Sequence, residues 1–397
     1  MSVTAPLGFR AAGVAAGLKQ SGQPDVAVVL NDGPAWSAAA VFTTNRVQAA
    51  PVTWTREVVK GGRVRAVVLN SGGANACTGP HGFQDTHTTA EHLAAAIGEV
   101  GAGEIAVCST GLIGERLPMD KLIPGVDAAL AEASRAGGLA AADAIRTTDT
   151  VVKIAFRRSV SSGGRPPQTP SAPSYTIGGM AKGAGMLAPG LATMLCVLTT
   201  DAELPPAELD AALRTATAVT FDRLDTDGCM STNDTVLLMA SGAAATSVDK
   251  REFTETLTEV CADLARQLQL DAEGAGKMIT IEVVGAASEA DAVTAGRAVA
   301  RNNLLKCAIG GEDPNWGRVL AAVGTTDAVF SPERLNVAIN GIWVCRHGAP
   351  GDERSKVDLK PKDVTITVDL SAGPHSAIIL TTDLTAAYVH ENSAYST

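Results

Sequence analysis

The stretch Lys182-Gly-Ala-Gly-Met-Leu-Ala-Pro-Gly-Leu-Ala-Thr-Met-Leu-Cys-Val-Leu-Thr-Thr-Asp-Ala202 decides the fold, because the rest of the chain is organised around it. Its first half predicts a loop, since its glycines and its proline oppose a stable helix. Its second half contains a short apolar run, residues 194–198, bounded by polar residues, which predicts a buried strand. Thr193 is therefore predicted to lie where a contorted loop becomes a buried strand.

Thr193, preceded by the small Ala192, has the sequence context of a nucleophile that becomes a new chain terminus. Cleavage between these residues would expose an α-amine with an unperturbed pKa of about 7.7–8, against about 10.4 for lysine. Such an amine is partly unprotonated near neutral pH and can take the hydroxyl proton. A threonine that only begins a strand after a turn is the structural alternative, and the local sequence leaves both interpretations open.

The composition indicates a globular protein with a small-molecule substrate. The chain has 397 residues, of which 46% are hydrophobic and only 4% aromatic, so its core is expected to consist of small aliphatic side chains. A net charge of −10 argues against nucleic acid or an anionic membrane as the main partner. Seven scattered cysteines and no apolar run of transmembrane length predict a soluble, cytoplasmic protein with reduced thiols.

Hydrophobic periodicity predicts an α/β protein. Strands at 26–30 and 38–44, separated by a turn, are expected to pair as a hairpin. The helix at 205–219 is expected to bury one face, including Val219, and Asp249 with Glu252 is expected to cap a long helix that ends near 271. Further strands are predicted at 65–69, 105–110, 151–156, 235–240, 279–284, 335–339, 364–368 and 377–380, and further helices at 83–100, 119–134, 138–146 and 289–304.

Several polar positions have both a functional and a structural interpretation. Thr110 and Gly111 follow a strand and could form an oxyanion hole or an ordinary strand-end turn. Glu273 alone would be assigned as a surface carboxylate. The segment 159–174, rich in Ser, Pro and Gly, predicts a surface insertion, and the tail 391–397 could be frayed or fold over a site.

Metal and nucleotide sites have little support in the sequence. The glycine-rich segment 70–79 matches neither the dinucleotide nor the P-loop pattern, although such a loop can aim backbone N–H groups at a ligand. The acidic residues between 225 and 234 lack the spacing of a calcium loop, and no HExxH motif is present. We therefore expect no metal and no cofactor.

An ordered set of motifs along nearly the whole chain resembles the glutamate N-acetyltransferase (ornithine acetyltransferase) family of arginine biosynthesis. The motifs are Leu69-Asn-Ser-Gly-Gly-Ala-Asn-Ala76, Ser109-Thr-Gly-Leu-Ile-Gly114, Thr147-Thr-Asp149, Lys182-Gly-Ala-Gly-Met with Ala192-Thr193-Met-Leu, Ser231-Thr-Asn-Asp-Thr235, Asp313-Pro-Asn-Trp-Gly-Arg318 and Glu391-Asn-Ser-Ala-Tyr395. Any one of them is weak, whereas the ordered set is specific.

The resemblance implies an αββα core similar to N-terminal-nucleophile hydrolases but differently connected. The pattern of strands and a helix from Lys277 onward predicts a compact second α/β domain. We therefore expect a catalytic domain at 1–275, a smaller α/β domain at 276–385 and a tail at 386–397 that returns to the active site. Cleavage before Thr193 would give two associated chains that commonly form an α2β2 heterotetramer. The segment 159–174 is longer than the family pattern suggests.

The implied reaction is a ping-pong transfer of acetyl from N-acetylornithine to glutamate through acetyl-Thr193. Thr110 and Gly111 match the oxyanion donors. Lys182 is expected to bind a carboxylate and Glu273 an amine. The substrate-contacting positions implied are Thr147, Lys182, Thr193, Glu273, Asn392 and Thr397.

Some family members also accept acetyl-CoA, but the lack of a nucleotide-binding loop predicts weak or absent use of that donor here. A self-cleaving amidohydrolase or aminopeptidase of the same fold group, and a non-enzymatic small-molecule-binding protein, are the alternative functions.

Overall fold

The computed structural model describes residues 2–160, 174–188, 194–245 and 248–394, and for residue 160 it describes the backbone only. The strands in these ranges are β1 (Phe9–Val14), β2 (Val26–Asn31), β3 (Ser37–Phe42), β4 (Ala66–Ser71), β5 (Ile105–Thr110), β6 (Lys153–Val160), β7 (Ser174–Lys182), β8 (Leu195–Thr200), β9 (Thr235–Ala240), β10 (Met278–Ala286), β11 (Asn336–Ile339), β12 (Ile342–Arg346), β13 (Ala349–Pro350), β14 (Asp363–Asp369) and β15 (His375–Thr382). The helices are α1 (Ala50–Lys60), α2 (Gly79–Ile97), α3 (Met119–Glu132), α4 (Gly138–Ala144), α5 (Pro206–Ala218), α6 (Lys250–Leu270), α7 (Glu289–Ala300), α8 (Asn303–Gly310), α9 (Trp316–Val323) and α10 (Ala386–Ala394).

Two sheets pack face to face at the centre of the molecule. One has the strand order β1-β2-β4-β5 and the other the order β3-β9-β8-β7-β6. Their facing side chains form one apolar cluster, in which Val29 and Leu69 of the first sheet join Val197 and Leu237 of the second. Helices α2 and α3 cover the outer face of the first sheet, and α5 and α6 cover that of the second. The αββα arrangement that the family resemblance implies is confirmed.

A third sheet has the order β13-β12-β11-β14-β10-β15. Its strand β10, next to the edge strand β15, runs parallel to β14 and antiparallel to β15. Helices α7, α8 and α9 contribute to a separate apolar cluster on this sheet. The third sheet lies within the segment predicted to be a smaller domain, but the boundaries 1–275, 276–385 and 386–397 stay predictions.

The predicted hairpin between residues 26–30 and 38–44 is wrong, because β2 and β3 belong to different sheets. β2 pairs with β1 and β4, whereas β3 pairs with β9. The turn between them crosses from one sheet to the other, and the Asn31 side chain fixes this crossing by donating to the carbonyls of Ala35 and Ala240, at 3.0 and 3.1 Å. Turn residues signal a change of direction but do not specify which sheet receives the next strand.

Other differences are local. Val219 is 50% exposed because it caps the C-terminal end of α5 instead of belonging to its buried face. The predicted helix at 289–304 is two helices, α7 and α8. The predicted insertion 159–174 overlaps the ends of β6 and β7, and its residues 161–173 lie outside the described ranges.

Helix α6 has the N-terminal cap and the buried face that the sequence predicts. The Asp249 carboxylate accepts from the N–H groups of Arg251 and Glu252, at 3.0 and 2.9 Å, as an N-cap does. The Glu252 carboxylate does not complete a reciprocal capping pair, because it accepts from the Ser159 hydroxyl instead. The buried face of the helix comprises Phe253, Leu257, Val260, Cys261, Leu264, Ala265, Leu268 and Gln269.

Candidate active site

A small pocket lies where β5, β7 and the segments after α4 and α6 meet. Its volume is about 80 Å³. The residues that line it are Thr110, Gly111, Thr147, Thr148, Lys182, Gly185, Met186, Glu273 and Asn392. The structure therefore brings together six residues predicted from distant parts of the sequence: Thr110, Gly111, Thr147, Lys182, Glu273 and Asn392.

Lys182 lies at the end of β7 and is 1% exposed. Its Nζ donates to Thr147 Oγ1 at 2.7 Å and to Thr110 Oγ1 at 3.4 Å. Burial lowers the pKa of the Lys182 ammonium, and the nearby Asp149 carboxylate opposes that shift. The amine thus lies among hydroxyl groups, with the Asp149 carboxylate as a nearby counter-charge.

Asp149 holds this lysine in place. Its Oδ2 lies 3.9 Å from Lys182 Nζ, and its Oδ1 accepts from Lys153 Nζ and from the Gly183 N–H, each at 2.6 Å. Although burial opposes ionisation, the charges of Lys182 and Lys153 lower the pKa of Asp149 to about 2. Lys153 also donates to Asp271 at 2.5 Å, so the two lysines and two carboxylates form one buried network.

The Thr110–Gly111 segment is supported by the glycine-rich loop that follows β4. The Gly73 N–H donates to the Thr110 carbonyl at 3.0 Å. Asn233 reinforces the junction, because its Nδ2 donates to the carbonyls of Ala74 and Ser109, at 2.6 and 2.8 Å. The hydroxyl of Thr110 therefore faces Lys182 from a backbone that is fixed on both sides.

Glu273 also lines the pocket, three residues after α6 ends. Its Oε1 accepts from the Thr148 hydroxyl at 2.7 Å, and its Oε2 accepts from Asn392 Nδ2 at 2.9 Å. A Cβ added at Gly185 would lie 2.4 Å from Glu273 Oε2, so a side chain at this position would displace the Glu273 carboxylate. Asn392 belongs to α10, so the tail does return to the pocket up to this residue.

The predicted cleavage residues Ala192 and Thr193, and the predicted contact Thr397, lie outside the described residues. The next described residue is Met194, whose N–H donates to Asp234 Oδ1 at 3.0 Å. Leu195 pairs with Lys182 across β7 and β8, so the described start of this strand adjoins the pocket.

The sequence analysis missed Thr148, Asp149 and Gly185 as site residues. Thr148 and Asp149 belong to a hydroxyl-rich motif from which only Thr147 was selected. An acidic residue four positions before a lysine that begins a strand was a usable signal for the buried pair. Within the described ranges, no group of three or more His, Cys, Asp or Glu side chains could hold a metal ion.

The layered fold and its pocket of hydroxyls, one buried lysine and one carboxylate define an α/β enzyme acting on a small polar substrate. The model of the ArgJ family matches residues 10–397, and this chain belongs to that family. A curated relative from Thermobifida fusca, named arginine biosynthesis bifunctional protein ArgJ, is 73% identical over the full length of both chains. A relative of the same name from Streptomyces coelicolor is 63% identical, again over the full length of both chains.

Among solved structures, ornithine acetyltransferase from Mycobacterium tuberculosis complexed with ornithine is 56% identical, with a TM-score of 0.42, and the match covers 47% of this chain and 94% of that chain. The family membership predicted from the motifs is confirmed, and so is the prediction of an arginine-biosynthesis enzyme. No helix in the described ranges has the length and apolar character needed to cross a membrane.

Proposed function

We propose that this enzyme transfers acetyl from N2-acetyl-L-ornithine to L-glutamate, giving L-ornithine and N-acetyl-L-glutamate. The observation that carries the proposal is the pocket itself, in which Lys182 and Glu273 line the same small space as Thr110 and Thr147. Donor and acceptor share an α-carboxylate and an α-nitrogen. A lysine matches the shared α-carboxylate, and a glutamate can pair with an amine of the substrate.

Thr193 is the proposed nucleophile, freed by cleavage into chains of residues 1–192 and 193–397. Its α-amine takes the hydroxyl proton as Oγ attacks the acetyl carbonyl, and the proton passes to the departing ornithine nitrogen as the C–N bond breaks. The glutamate amine then attacks the acetyl ester, which restores the Thr193 hydroxyl. The Thr110 hydroxyl and the Gly111 N–H stabilise the oxyanion in both steps, and loss of one such donor typically costs about 10²–10³ in rate.

The acetyl group is carried on Thr193, so the proposed reaction requires no cofactor. The curated relatives are named bifunctional, and we propose acetyl-CoA as a second donor. Its use is expected to be weaker because the sequence has no nucleotide-binding loop. We further propose that the two chains form an α2β2 heterotetramer in the cytoplasm.

Intact mass spectrometry and product analysis test the proposal together. Wild type is expected to give two fragments, and Thr193→Ala a single 40.4 kDa chain without transfer activity. Thr215→Ala is a control, because this exposed hydroxyl on α5 bonds only to the Ala211 carbonyl in the described structure. Formation of free acetate without N-acetylglutamate would instead favour the amidohydrolase alternative, and an active uncut chain would contradict cleavage.

A further inference from the structure

A second cavity shares a wall with the active-site pocket, and the proposed reaction does not yet use it. Its volume is about 200 Å³, and Lys19, Arg146 and Thr147 are among the residues that line it. Thr147 also lines the active-site pocket, so one side chain borders both spaces. We call this second space the adjoining cavity.

The loop that carries Lys19 is held in place by Asp25, which is 0% exposed. The Asp25 carboxylate accepts from the backbone N–H groups of Ala16, Leu18 and Lys19, at 2.6, 2.6 and 3.0 Å. Lys19 Nζ donates to the Pro24 carbonyl at 2.8 Å. An ammonium has three donors, and two of these have no partner among the residues that the structure describes.

The other charged groups that border the adjoining cavity are already paired. Arg146 Nε donates to Asp143 Oδ1 at 2.8 Å, and its Nη1 donates to the carbonyls of Asp149 and Thr150, each at 3.2 Å. The Asp149 carboxylate lies in the buried network with the two lysines described above. Lys19 is therefore the cation of this cavity that retains donors for a ligand.

The electrostatic surroundings of Lys19 also favour an added anion. Burial lowers the pKa of its ammonium, and the Asp25 charge opposes that shift. The charges of Arg146 and Lys182 lower the pKa further, whereas that of Asp143 raises it. An anion bound beside Nζ would offset both the loss of hydration and the repulsion from the other two cations.

The two substrates of the proposed reaction make different demands on the site. The side chain of ornithine ends in an ammonium group, whereas that of glutamate ends in a carboxylate. Glu273 can pair with an ammonium but repels a second carboxylate. The active-site pocket is small, about 80 Å³, and Lys182 is matched there to the α-carboxylate. The side-chain carboxylate of glutamate therefore needs a cation outside this pocket.

We propose that the adjoining cavity is the subsite for the side-chain carboxylate of the acceptor, and that Lys19 binds it. The amino-acid part of glutamate stays in the active-site pocket, and its side chain reaches past Thr147 to the Lys19 ammonium. Lys19 is thus a specificity-determining residue for the second half of the reaction. The inference rests on the proposed function, because it requires glutamate to be the acceptor.

Lys19→Met, assayed with glutamate and with glutamine as acceptors, is the direct test. Glutamine has the shape of glutamate but a neutral side-chain amide. The variant is expected to lower kcat/KM for glutamate at least about ten-fold and to leave that for glutamine nearly unchanged, because a hydrogen bond between charged groups is lost only with glutamate. The KM for N-acetylornithine is not expected to rise, since the side chain of this donor is a cation.

Lys121→Met is the matched control. Lys121 is exposed, and its Nζ donates to the Gly17 carbonyl at 3.0 Å, so it holds the same loop from outside the cavity. This variant removes an equal charge and a similar bond to the loop. Its preference for glutamate over glutamine is expected to equal that of wild type. A loss of preference confined to Lys19→Met separates ligand binding from a shift of the loop.

The outcomes distinguish this inference from the proposed function. If wild type forms N-acetylglutamate and Lys19→Met keeps the wild-type preference for glutamate over glutamine, the subsite is overturned while the function stands. If wild type forms no N-acetylglutamate, both are overturned. If Lys19→Met does not fold, or transfer to glutamine is too slow to measure, Lys19→Arg and Lys19→Gln are compared with glutamate alone. A kcat/KM at least about ten-fold higher in the Arg variant supports the subsite, and equal values overturn it.

Discussion

Lys182 and Lys153 approach the same carboxylate, Asp149, from two strands of one sheet. Both lysine side chains are almost fully buried, so the charge of Asp149 offsets a large desolvation cost. The backbone N–H groups of Thr147 and Gly183 also donate to it, at 3.0 and 2.6 Å. Asp149 thus offsets the positive charge of the buried lysines and also fixes the positions of two pocket residues, Thr147 and Lys182.

Asp149→Asn should destabilise the protein strongly, because it leaves two buried lysines with a single remaining carboxylate. Removal of one partner of a buried pair costs about 3–5 kcal/mol. Differential scanning calorimetry should show a clear drop in unfolding temperature at pH 7. The pKa of Asp149 is lowered from 3.8 to about 2 in the folded state. Its contribution is therefore complete above pH 3.8 and is lost as the pH falls toward 2.

Asp32→Asn provides the comparison for a surface carboxylate. Asp32 binds Arg10 and Arg65 with a side chain that is 31% exposed. Such pairs contribute about 0–1 kcal/mol, so this variant should melt close to wild type. Equal losses in the two variants would show that the Asp149 network has no special energetic role.

At the level of secondary structure, α10 reaches the pocket because the chain passes very close to Gly274. The Thr385 hydroxyl donates to the Gly274 carbonyl at 2.6 Å and accepts from the Tyr388 N–H at 3.1 Å. Gly274 has a φ of 62°, and a Cβ there would lie 2.1 Å from the Tyr388 nitrogen. The helix can carry Asn392 to Glu273 only while this position lacks a side chain.

Gly274→Ala should displace α10 and break the Asn392–Glu273 hydrogen bond. Opening the pocket admits water to the acetyl ester, so a larger fraction of turnover should appear as free acetate instead of N-acetylglutamate. Gly79→Ala is the control, since Gly79 has a φ of 63° but no atom within 4 Å of an added Cβ. If both variants give the same ratio of free acetate to N-acetylglutamate, the clash with α10 does not cause the loss of acetyl to water.

The sequence predicted individual elements better than their pairing. Residues 105–110 and 235–240 were predicted with the bounds that the structure shows, because each is an apolar run between polar residues. β7 was missed, since its Gly178 and Gly179 weaken the strand signal although both lie in a buried ladder. The sheet that receives β3 depends on contacts with β9, about two hundred residues away, which no local pattern contains.

The resemblance of the motifs identified residues that line the pocket. It did not identify the residues that hold these lining residues in place. Thr110, Lys182 and Glu273 line the pocket as expected. The role of Asp149 depends on burial, and burial of a carboxylate follows from tertiary packing that the sequence pattern does not display. This role therefore required the structure.

At the scale of the whole molecule, Lys306 of α8 joins the third sheet to the two sheets that pack face to face. Its Nζ donates to the Thr226 carbonyl at 2.7 Å, to Thr381 Oγ1 at 3.0 Å and to the Thr382 carbonyl. Thr226 precedes β9, which belongs to one of the two face-to-face sheets, whereas Thr381 and Thr382 end β15 of the third sheet. Burial lowers the pKa of Lys306 to about 8, although Asp225, Asp227 and Asp383 oppose the shift.

The stability contributed by this lysine should depend on pH above 8. The ordinary pKa of lysine is 10.5, so between pH 8 and 10.5 the folded state releases the Lys306 proton while the unfolded state retains it. The unfolded state then binds more protons, and unfolding becomes less favourable as the pH rises, by up to about 1.4 kcal/mol per pH unit. Below pH 8 the contribution is constant, because both states are protonated.

Lys306→Met removes this titration, so the stability of wild type relative to this variant should increase between pH 8 and 9.5, as measured by unfolding temperature. Three buried oxygens lose their donor in the variant, which destabilises it at every pH and does not alter the slope. Lys356→Met is the control, because Lys356 is exposed and pairs with Asp352 at 3.3 Å. If the difference in unfolding temperature between wild type and Lys306→Met stays constant between pH 8 and 9.5, Lys306 keeps its proton in the folded state. The three hydrogen bonds would then have outweighed burial.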